Sequence, residues 1–428
     1  MTEQMNVPML RFGEYAGDWH TTTVGQLVKD GILFKPLDGN HGNIHPKASD
    51  YVESGIPFLM ASDIQHGQAD LEGCKFISKE LADSLQKGFA CEGDVLLTHK
   101  GTVGETTILQ GINTPYVMLT PQVTYYRVKN SEKLDNVFLQ KLFTSESFRK
   151  DLFVKADSGT RPYIGILGQL TLNLTLPEID EQQKIASFLS KFDEKIALLT
   201  AKKNKLTEYK KGVMQQLFNG KWEEQDGQLT FIPPTLRFKA DDGSEFPDWE
   251  AKKGAKLFAS ISNKNHNSDL PVLAITQNQG AIPRSLIDYN ISVADTSVAS
   301  YKVVEKGDFI ISLRSFQGGI EYSEYTGICS PAYVILRPKI AVSDYFYKYY
   351  LKTYPFIVEM QKRLEGIRDG KIISYRYFSE ISIPYPTKVE QDKIVCFLSA
   401  LEQKISLATS ELEKAKEWKK GLLQQMFV

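Results

Sequence analysis

Two short stretches of the sequence place a hydroxyl side chain two residues before a cation, at the end of an apolar run. In GDVLLTHKGTVG these residues are Thr98 and Lys100, and in GDFIISLRSFQG they are Ser312 and Arg314. A hydroxyl group and a cation on a tight turn can together hold the phosphate oxygens of DNA. Because the pair recurs in two otherwise divergent stretches, these four residues are candidate DNA contacts. The alternative is that the turns are fold elements with surface cations.

Cations in two loop-like stretches form a second recurrent feature. In GTR the last two residues are Thr160 and Arg161, and in GIRDGK the cations are Arg368 and Lys371. An arginine on a loop can reach the edge of a guanine with two hydrogen bonds. We therefore predict that these four residues also contact DNA.

Other short elements recur in the same order in both halves of the chain. PMLRF, followed by an Asp-Trp pair at Trp19, matches PTLRF, followed by Asp-Trp at Trp249. A Thr-Pro pair followed by Arg127 matches a Ser-Pro pair followed by Arg337. We interpret the Asp-Trp pair as a structural anchor at the entrance of each half.

The motifs of a stand-alone enzyme are missing from the sequence. The chain has no GxGxxG turn for a dinucleotide or S-adenosylmethionine and no P-loop. The Pro-Pro pair at Pro233 and Pro234 follows Ile232, which does not fit an adenine methyltransferase signature. In PDWEAKK the carboxylates of Asp248 and Glu250 are only two residues apart, which disfavours a metal-dependent nuclease. We expect no catalytic residue in this chain.

A metal site is not expected either. His41 and His45 are four residues apart, as metal ligands on a helix can be, but their surroundings are loop-like and offer no third ligand. The four cysteines are far apart and lack CxxC spacing, which is typical of reduced structural thiols.

The elements that must position the candidate contacts belong to an internal repeat. Residues 181–218 return 209 positions later as residues 390–427, with 19 of 38 positions identical and no gap. Apolar residues recur at every seventh position among Lys and Glu, which is typical of a coiled coil. These seam residues are Ile185, Phe192, Leu199, Leu206 and Val213 in the first copy and Ile394, Leu401, Ala408, Ala415 and Leu422 in the second.

Chain geometry favours antiparallel pairing of the two helices. Each helix would be roughly 57 Å long, whereas the segment 219–234 spans at most roughly 53 Å when extended. Antiparallel pairing removes that mismatch and places Phe192 against Ala415 and Leu199 against Ala408. We therefore predict two domains at opposite ends of a rigid rod, related by a pseudo-twofold axis.

The predicted fold is two mixed α/β domains separated by two long antiparallel coiled-coil helices. Short apolar runs rich in β-branched or aromatic residues predict strands at 95–97, 123–126, 309–312 and 333–336, and aromatic residues at helical spacing predict helices at 134–154 and 343–364. The predicted boundaries are 1–178 for the first domain, 179–218 for its helix, 219–234 for a polar linker, 235–386 for the second domain and 387–428 for its helix.

Composition indicates a globular protein of two or more domains, with 428 residues, 42% of them hydrophobic, and a net charge of −1. The region 1–178 holds 16 Lys and Arg against 21 Asp and Glu, so DNA binding must rest on local patches or on a partner. The first twenty residues do not resemble a secretion signal, and no apolar run is long enough to span a membrane. We expect a cytoplasmic protein with no membrane partner.

The repeated EQQKIASFL and EQDKIVCFL helices, ending in KKGVMQQLF and KKGLLQQMF, resemble those of the DNA specificity subunit of type I restriction-modification systems. This resemblance covers nearly the whole chain. It implies two target recognition domains that each read one half of an asymmetric split sequence in double-stranded DNA. It also implies partners: two modification subunits that use S-adenosylmethionine, and restriction subunits that use ATP and Mg²⁺. No cofactor is then expected in this chain itself.

Two other classes of protein remain as alternatives. A coiled-coil adaptor without DNA specificity would show no salt-dependent DNA binding even with its partners present. A stand-alone nuclease or methyltransferase would turn over its substrate as a purified single chain.

Overall fold

The computed structural model describes residues 6–156, 162–225, 228–267, 269–287, 298–362 and 373–428. The chain forms two compact units. The first comprises Met1–Ala201 and Thr409–Val428, and the second comprises Lys202–Ala408. Each unit therefore contains one recognition half of the sequence and part of both repeated helices.

The first unit is built on short strands that pair mostly antiparallel, with one parallel pair in its five-stranded sheet. Its strands are β1 (His20–Thr23), β2 (Leu37–Asp38), β3 (Tyr51–Val52), β4 (Ile56–Leu59), β5 (Ile64–Gln65), β6 (Gln68–Ala69), β7 (Lys75–Ile77), β8 (Phe89–Ala90), β9 (Val95–Thr98), β10 (Thr106–Ile108), β11 (Val117–Leu119), β12 (Val123–Tyr126) and β13 (Asn173–Leu176). A four-stranded sheet has the order β10-β9-β12-β2, and a five-stranded sheet has the order β3-β7-β4-β11-β8. Strands β1 and β13 pair separately, as do β5 and β6.

Short helices cover these sheets. They are Val24–Lys29, Lys79–Ser84, Asn136–Thr144, Glu146–Lys155 and Ile166–Gln169, with 3-10 turns at Gly42–Ile44, Ala48–Asp50 and Ala61–Asp63. The single helix predicted at 134–154 is wrong, because Ser145 ends one helix and begins the next. Its hydroxyl accepts a hydrogen bond from the Phe148 N–H at 3.2 Å, which caps the second helix.

The second unit repeats much of this plan. Its strands are β14 (Lys221–Gln225), β15 (Gln228–Ile232), β16 (Glu250–Lys253), β17 (Phe258–Ile261), β18 (Leu273–Thr276), β19 (Gly280–Pro283), β20 (Lys302–Val304), β21 (Phe309–Ile311), β22 (Glu321–Tyr322), β23 (Gly327–Cys329), β24 (Val334–Pro338) and β25 (Ser382–Tyr385). Its four-stranded sheet, β22-β21-β24-β17, has the same order as β10-β9-β12-β2. The β16-β25 pair likewise matches β1-β13.

The helices of the second unit show the same interruption. They are Gly254–Leu257, Ser315–Gly318, Asp344–Tyr350, Tyr354–Gln361 and Tyr375–Glu380, with a 3-10 turn at Arg284–Leu286. The helix predicted at 343–364 therefore also breaks in two. Pro355 is the second residue of the later helix, where a missing backbone N–H does not disrupt hydrogen bonding.

The segment predicted as a polar linker is instead ordered as the β14-β15 hairpin. Phe231 is buried, with its ring 5.0 Å from the ring of Trp222 and 5.8 Å from that of Trp249. The burial of these aromatic rings explains why the segment folds onto the second unit rather than remaining an open tether.

The two repeated segments form the first long helix, Ile179–Leu217, and the second long helix, Lys388–Met426, each of 39 residues. In the first unit, Ile185 shares a core with Phe427, and Asp193 forms an ion pair with Lys419. In the second unit, Lys210 pairs with Glu402 at 2.6 Å. Residues later in one helix thus meet residues earlier in the other, so the helices are antiparallel.

The predicted seam faces inward along both helices. Ile185, Val213, Ile394, Leu401, Ala408 and Ala415 are buried, and Phe192, Leu199, Leu206 and Leu422 are partly buried. Phe192, Leu199 and Ala415 line one groove in the first unit. The heptad pattern therefore identified the packed face of each helix.

The Glu-Gln pair at the start of each repeat fastens the helix to its unit. Glu181 accepts two hydrogen bonds from the Arg11 guanidinium, both at 2.7 Å. Gln182 accepts a hydrogen bond from the Asp135 N–H at 3.0 Å and donates one to the Pro177 carbonyl at 2.9 Å. These buried polar contacts explain why the repeat begins with Glu-Gln in both copies.

Candidate nucleic-acid interface

A Gly-Asp turn supports the start of each hydroxyl and cation motif. The Asp94 carboxylate accepts a hydrogen bond from the Cys91 N–H at 2.7 Å and two from the Arg127 guanidinium at 2.8 and 2.7 Å. Gly93 precedes it with a φ of +86°, which favours glycine. Burial of the carboxylate makes this bidentate pair a fixed part of the fold.

The second unit contains the same turn. Arg337 donates to both oxygens of Asp308 at 2.7 and 2.8 Å, and Asp308 also accepts from the Glu305 N–H at 2.8 Å. Gly307 has a φ of +99°. Since Asp94 and Asp308 face the same partners, the recurrence of Arg127 and Arg337 in the sequence reflects a structural ion pair.

Thr98 ends β9 inside the protein. Its side chain is fully buried, and its hydroxyl accepts a hydrogen bond from the Glu105 N–H at 3.0 Å. This bond closes the turn between β9 and β10. The structure therefore corrects the role predicted for Thr98, because its hydroxyl shapes the turn and is not presented to a ligand.

Next to Thr98, His99 joins a buried polar network. Its Nε2 lies 3.0 Å from the Pro121 carbonyl, which can only accept, so Nε2 carries the proton. Its Nδ1 then accepts from the Gln169 amide at 2.9 Å. Burial lowers the pKa of His99, which favours the neutral ring. The equivalent residue in the second unit is Leu313, which is exposed.

Lys100 is exposed and lies beyond this network. Its Nζ lies 5.8 Å from the centre of the Tyr163 ring, and Tyr163 is 39% exposed. Within the described part of the chain, no ion pair engages Lys100. A free cation beside a partly exposed aromatic ring can contact either a phosphate or a base.

Ser312 and Arg314 lie on the corresponding turn of the second unit. Ser312 is half-buried, and its hydroxyl accepts a hydrogen bond from the Arg314 N–H at 3.3 Å. The Arg314 side chain is exposed, and no ion pair to it occurs among the residues that the structure describes. Ser312 thus stabilises the turn, whereas the guanidinium of Arg314 is presented outward.

Four of the predicted contacts cannot be placed. Thr160, Arg161, Arg368 and Lys371 lie outside the described residues. They remain predictions from the sequence.

The family model described as the type I restriction modification DNA specificity domain matches residues 19–208 and again residues 249–417. The chain belongs to the type I restriction modification DNA specificity family. The two matched regions correspond to the two halves that carry the Gly-Asp turns.

Two relatives of the chain are described as type I restriction enzyme specificity subunits. It is 22% identical, over 98% of its own length and 95% of the relative's, to a protein of Methanocaldococcus jannaschii described as a candidate type I restriction enzyme MjaX specificity subunit. A second relative, the MjaVIII type I restriction enzyme specificity subunit of the same organism, is 26% identical over 49% of this chain and 47% of its own.

Two solved structures share the fold of the specificity chain. A type I restriction-modification S subunit from M. genitalium covers 99% of both chains with a TM-score of 0.55 and 15% sequence identity. A structure concerned with complex assembly and conformational transition of the type I system covers 95% of this chain and 96% of its own, with a TM-score of 0.54 and 15% identity.

Among the described residues, no three His, Cys, Asp or Glu side chains form a group that could hold a metal ion. His41 instead pairs with Asp38 at 2.7 Å, and Glu250 of the PDWEAKK stretch pairs with Lys252. In the part of the chain that is described, no helix is both long and apolar enough to cross a membrane.

Proposed function

We propose that each specificity domain reads one half of a bipartite DNA target and that the long helices set the gap between the halves. The observation that carries this proposal is the repeated scaffold with divergent turns. Each unit holds the same Gly-Asp turn and Arg pair, but presents Lys100 beside an aromatic ring in one case and Arg314 in the other. A common frame with different exposed side chains suits two readers of different sequences.

In this proposal the chain performs no chemistry of its own. Two modification subunits would supply S-adenosylmethionine-dependent methylation, and restriction subunits would supply ATP- and Mg²⁺-dependent cleavage. The partners would also supply part of the phosphate neutralisation, since the chain has 51 Lys and Arg against 52 Asp and Glu.

The test is to map the methylated sequences in cells that express the chain with its modification subunits. Lys100→Ala is expected to relax selection in one half-site only, and Arg314→Ala in the other. If Lys100 and Arg314 contact bases, each substitution should reduce discrimination by about 1–3 kcal/mol at one position.

Two results would contradict the proposal. One is a wild-type chain that directs methylation to no bipartite sequence. The other is a pair of variants that both weaken methylation at every sequence equally, which would make Lys100 and Arg314 phosphate contacts without sequence selectivity. Lys252→Ala serves as the control, because it removes a cation of the second unit that is already paired with Glu250.

A further inference from the structure

A small pocket in the second unit contains two of the residues singled out from the sequence. Its volume is about 190 Å³, so it has room for more than a single water molecule. Its lining residues are Ile275, Thr276, Gln277, Ser312, Arg314 and Glu321. Glu321 was not predicted to take part in any site.

Glu321 lies on β22 with only 2% of its surface exposed. One carboxylate oxygen, Oε2, pairs with the Lys352 ammonium at 2.5 Å. Neither Oε2 nor Oε1 has a partner with hydrogen-bond geometry among the residues that the structure describes, and Oε1 has no ion pair there either. Burial raises the pKa of Glu321 to about 7, although Lys352 acts in the opposite direction. When Glu321 is ionised, Oε1 is a buried acceptor without a donor, which is unfavourable.

The surroundings of Oε1 are rich in groups that read base edges. Gln277, Asn278 and Gln279 are exposed on the turn between β18 and β19. Lys352 also donates to the Gln277 carbonyl at 2.6 Å, so one ammonium group joins the turn to Glu321. Amides, Arg and Glu are the side chains that recognise adenine, guanine and cytosine respectively in the major groove.

The position of the first unit that is equivalent to Glu321 holds a side chain whose hydroxyl has a hydrogen-bond partner. Glu321 pairs with Ile310 in the sheet, and Thr107 pairs with Leu96. Ile310 and Leu96 each lie two residues after the Asp of their Gly-Asp turn, so they are equivalent positions. Their strand partners, Glu321 and Thr107, therefore occupy the same place in the two units. The Thr107 hydroxyl is buried and donates to the Gly67 carbonyl at 2.8 Å. At this position the first unit thus has a neutral hydroxyl with a hydrogen-bond partner, and the second unit has a carboxylate oxygen without one.

We infer that Glu321 Oε1 accepts a hydrogen bond from the exocyclic amino group of an adenine or a cytosine in the half-site read by the second specificity domain. This inference rests on the proposed function. Adenine N6 and cytosine N4 are the amino groups that face the major groove. Such a donor would supply a contact that Oε1 lacks when Glu321 is ionised, and Arg314 lines the same pocket.

The first experiment leaves the protein unchanged. The wild-type complex of the chain with its modification subunits is titrated with DNA targets in which each adenine of that half-site is replaced by purine and each cytosine by 2-pyrimidinone. Both analogues lack the exocyclic amino group. One position is expected to lose about 5- to 100-fold in affinity. If every analogue binds as tightly as the natural base, the inference is wrong.

The second experiment reverses the hydrogen-bond polarity. In Glu321→Gln, the amide oxygen is expected to keep the Lys352 contact, which places an NH₂ donor where Oε1 was. Methylation mapping should then show that the preferred base at that position changes from adenine or cytosine towards guanine or thymine. Guanine O6 and thymine O4 accept hydrogen bonds in the major groove. Glu324→Gln is the matched control, because Glu324 lies three residues later in the chain but pairs with Lys348 at 2.7 Å.

The outcomes separate this inference from the function on which it rests. A wild-type complex that selects no bipartite sequence would overturn both. A wild-type complex that selects one, but is indifferent to all analogues, would overturn only the role of Glu321. An unchanged target for Glu321→Gln in an intact complex would do the same, and would leave the Glu321–Lys352 pair a purely structural contact.

Discussion

The ion pair between Arg237 and Glu390 should determine how firmly the second long helix is held to its unit. Arg237 donates two hydrogen bonds of 2.9 Å to the carboxylate of Glu390, and the Trp249 indole N–H donates a third at 3.0 Å. The Glu390 side chain has no exposed surface. Arg237→Met would therefore leave a fully buried carboxylate with a single neutral donor.

The magnitude follows from that burial. Removing one partner of a buried ion pair typically costs about 3–5 kcal/mol, because the remaining charge is left uncompensated. We expect Arg237→Met to lower the free energy of unfolding of the second unit by that amount. Lys252→Met removes an ion pair whose Glu250 side chain is 69% exposed, so it should cost less than about 1 kcal/mol.

Denaturant unfolding of the full chain, combined with hydrogen exchange of the first turns of the second long helix, measures this difference. The double variant Arg237→Met with Glu390→Gln should be more stable than Arg237→Met alone, because a neutral amide replaces the unpaired charge. The reasoning is refuted if Arg237→Met behaves like Lys252→Met, or if the second substitution brings no recovery.

Two further predictions concern the first unit. Burial favours the protonated form of Asp193, but hydrogen bonds from Lys141 and Lys419 outweigh it and hold the pKa of this carboxyl below its usual value. The stability that Asp193 contributes is thus present above the pKa of the unfolded chain and is lost as the pH falls through the lower folded value. Unfolding measured between pH 6 and pH 3 should show a smaller loss in Asp193→Asn than in the wild type, and equal losses would contradict the assignment. Phe427→Ala should destabilise the first unit by about 3–5 kcal/mol, because the ring is buried against Trp19 and Phe138. Thermal unfolding checks this, with exposed Gln425→Ala as the control, and a loss below about 1 kcal/mol would show that the C-terminal ring is not part of the core.

The long helices were predictable because their signal is local and repeated. Apolar residues at every seventh position indicate which face of a helix is buried, whichever helix packs against it. Ile185 and Ile394 are both buried. The break at Ser145 was missed because the helical spacing of the aromatic residues continues across it. A serine is a common N-cap residue, and Ser145 caps the second helix by accepting a hydrogen bond from the Phe148 N–H. The β14-β15 hairpin was missed because its polar composition concealed the burial of Phe231.

The candidate site was predictable only where a residue recurs in both halves. Recurrence identified the turn that carries Lys100 and Arg314, but it could not distinguish an exposed cation from the buried hydroxyl of Thr98. Glu321 has no counterpart of its own type, and its environment is created by Lys352 and by a turn more than forty residues earlier in the chain. Such long-range contacts leave no local pattern in the sequence.

The spacing of the two half-sites tests the central claim most directly. Inserting one heptad after Thr200 and another after Glu411 keeps the seam in phase and lengthens both helices by roughly 10 Å, the equivalent of about three base pairs of DNA. Methylation mapping should then show a longer gap between two unchanged half-sites. An unchanged gap in an intact complex, or a change in the bases of either half-site, would contradict the account.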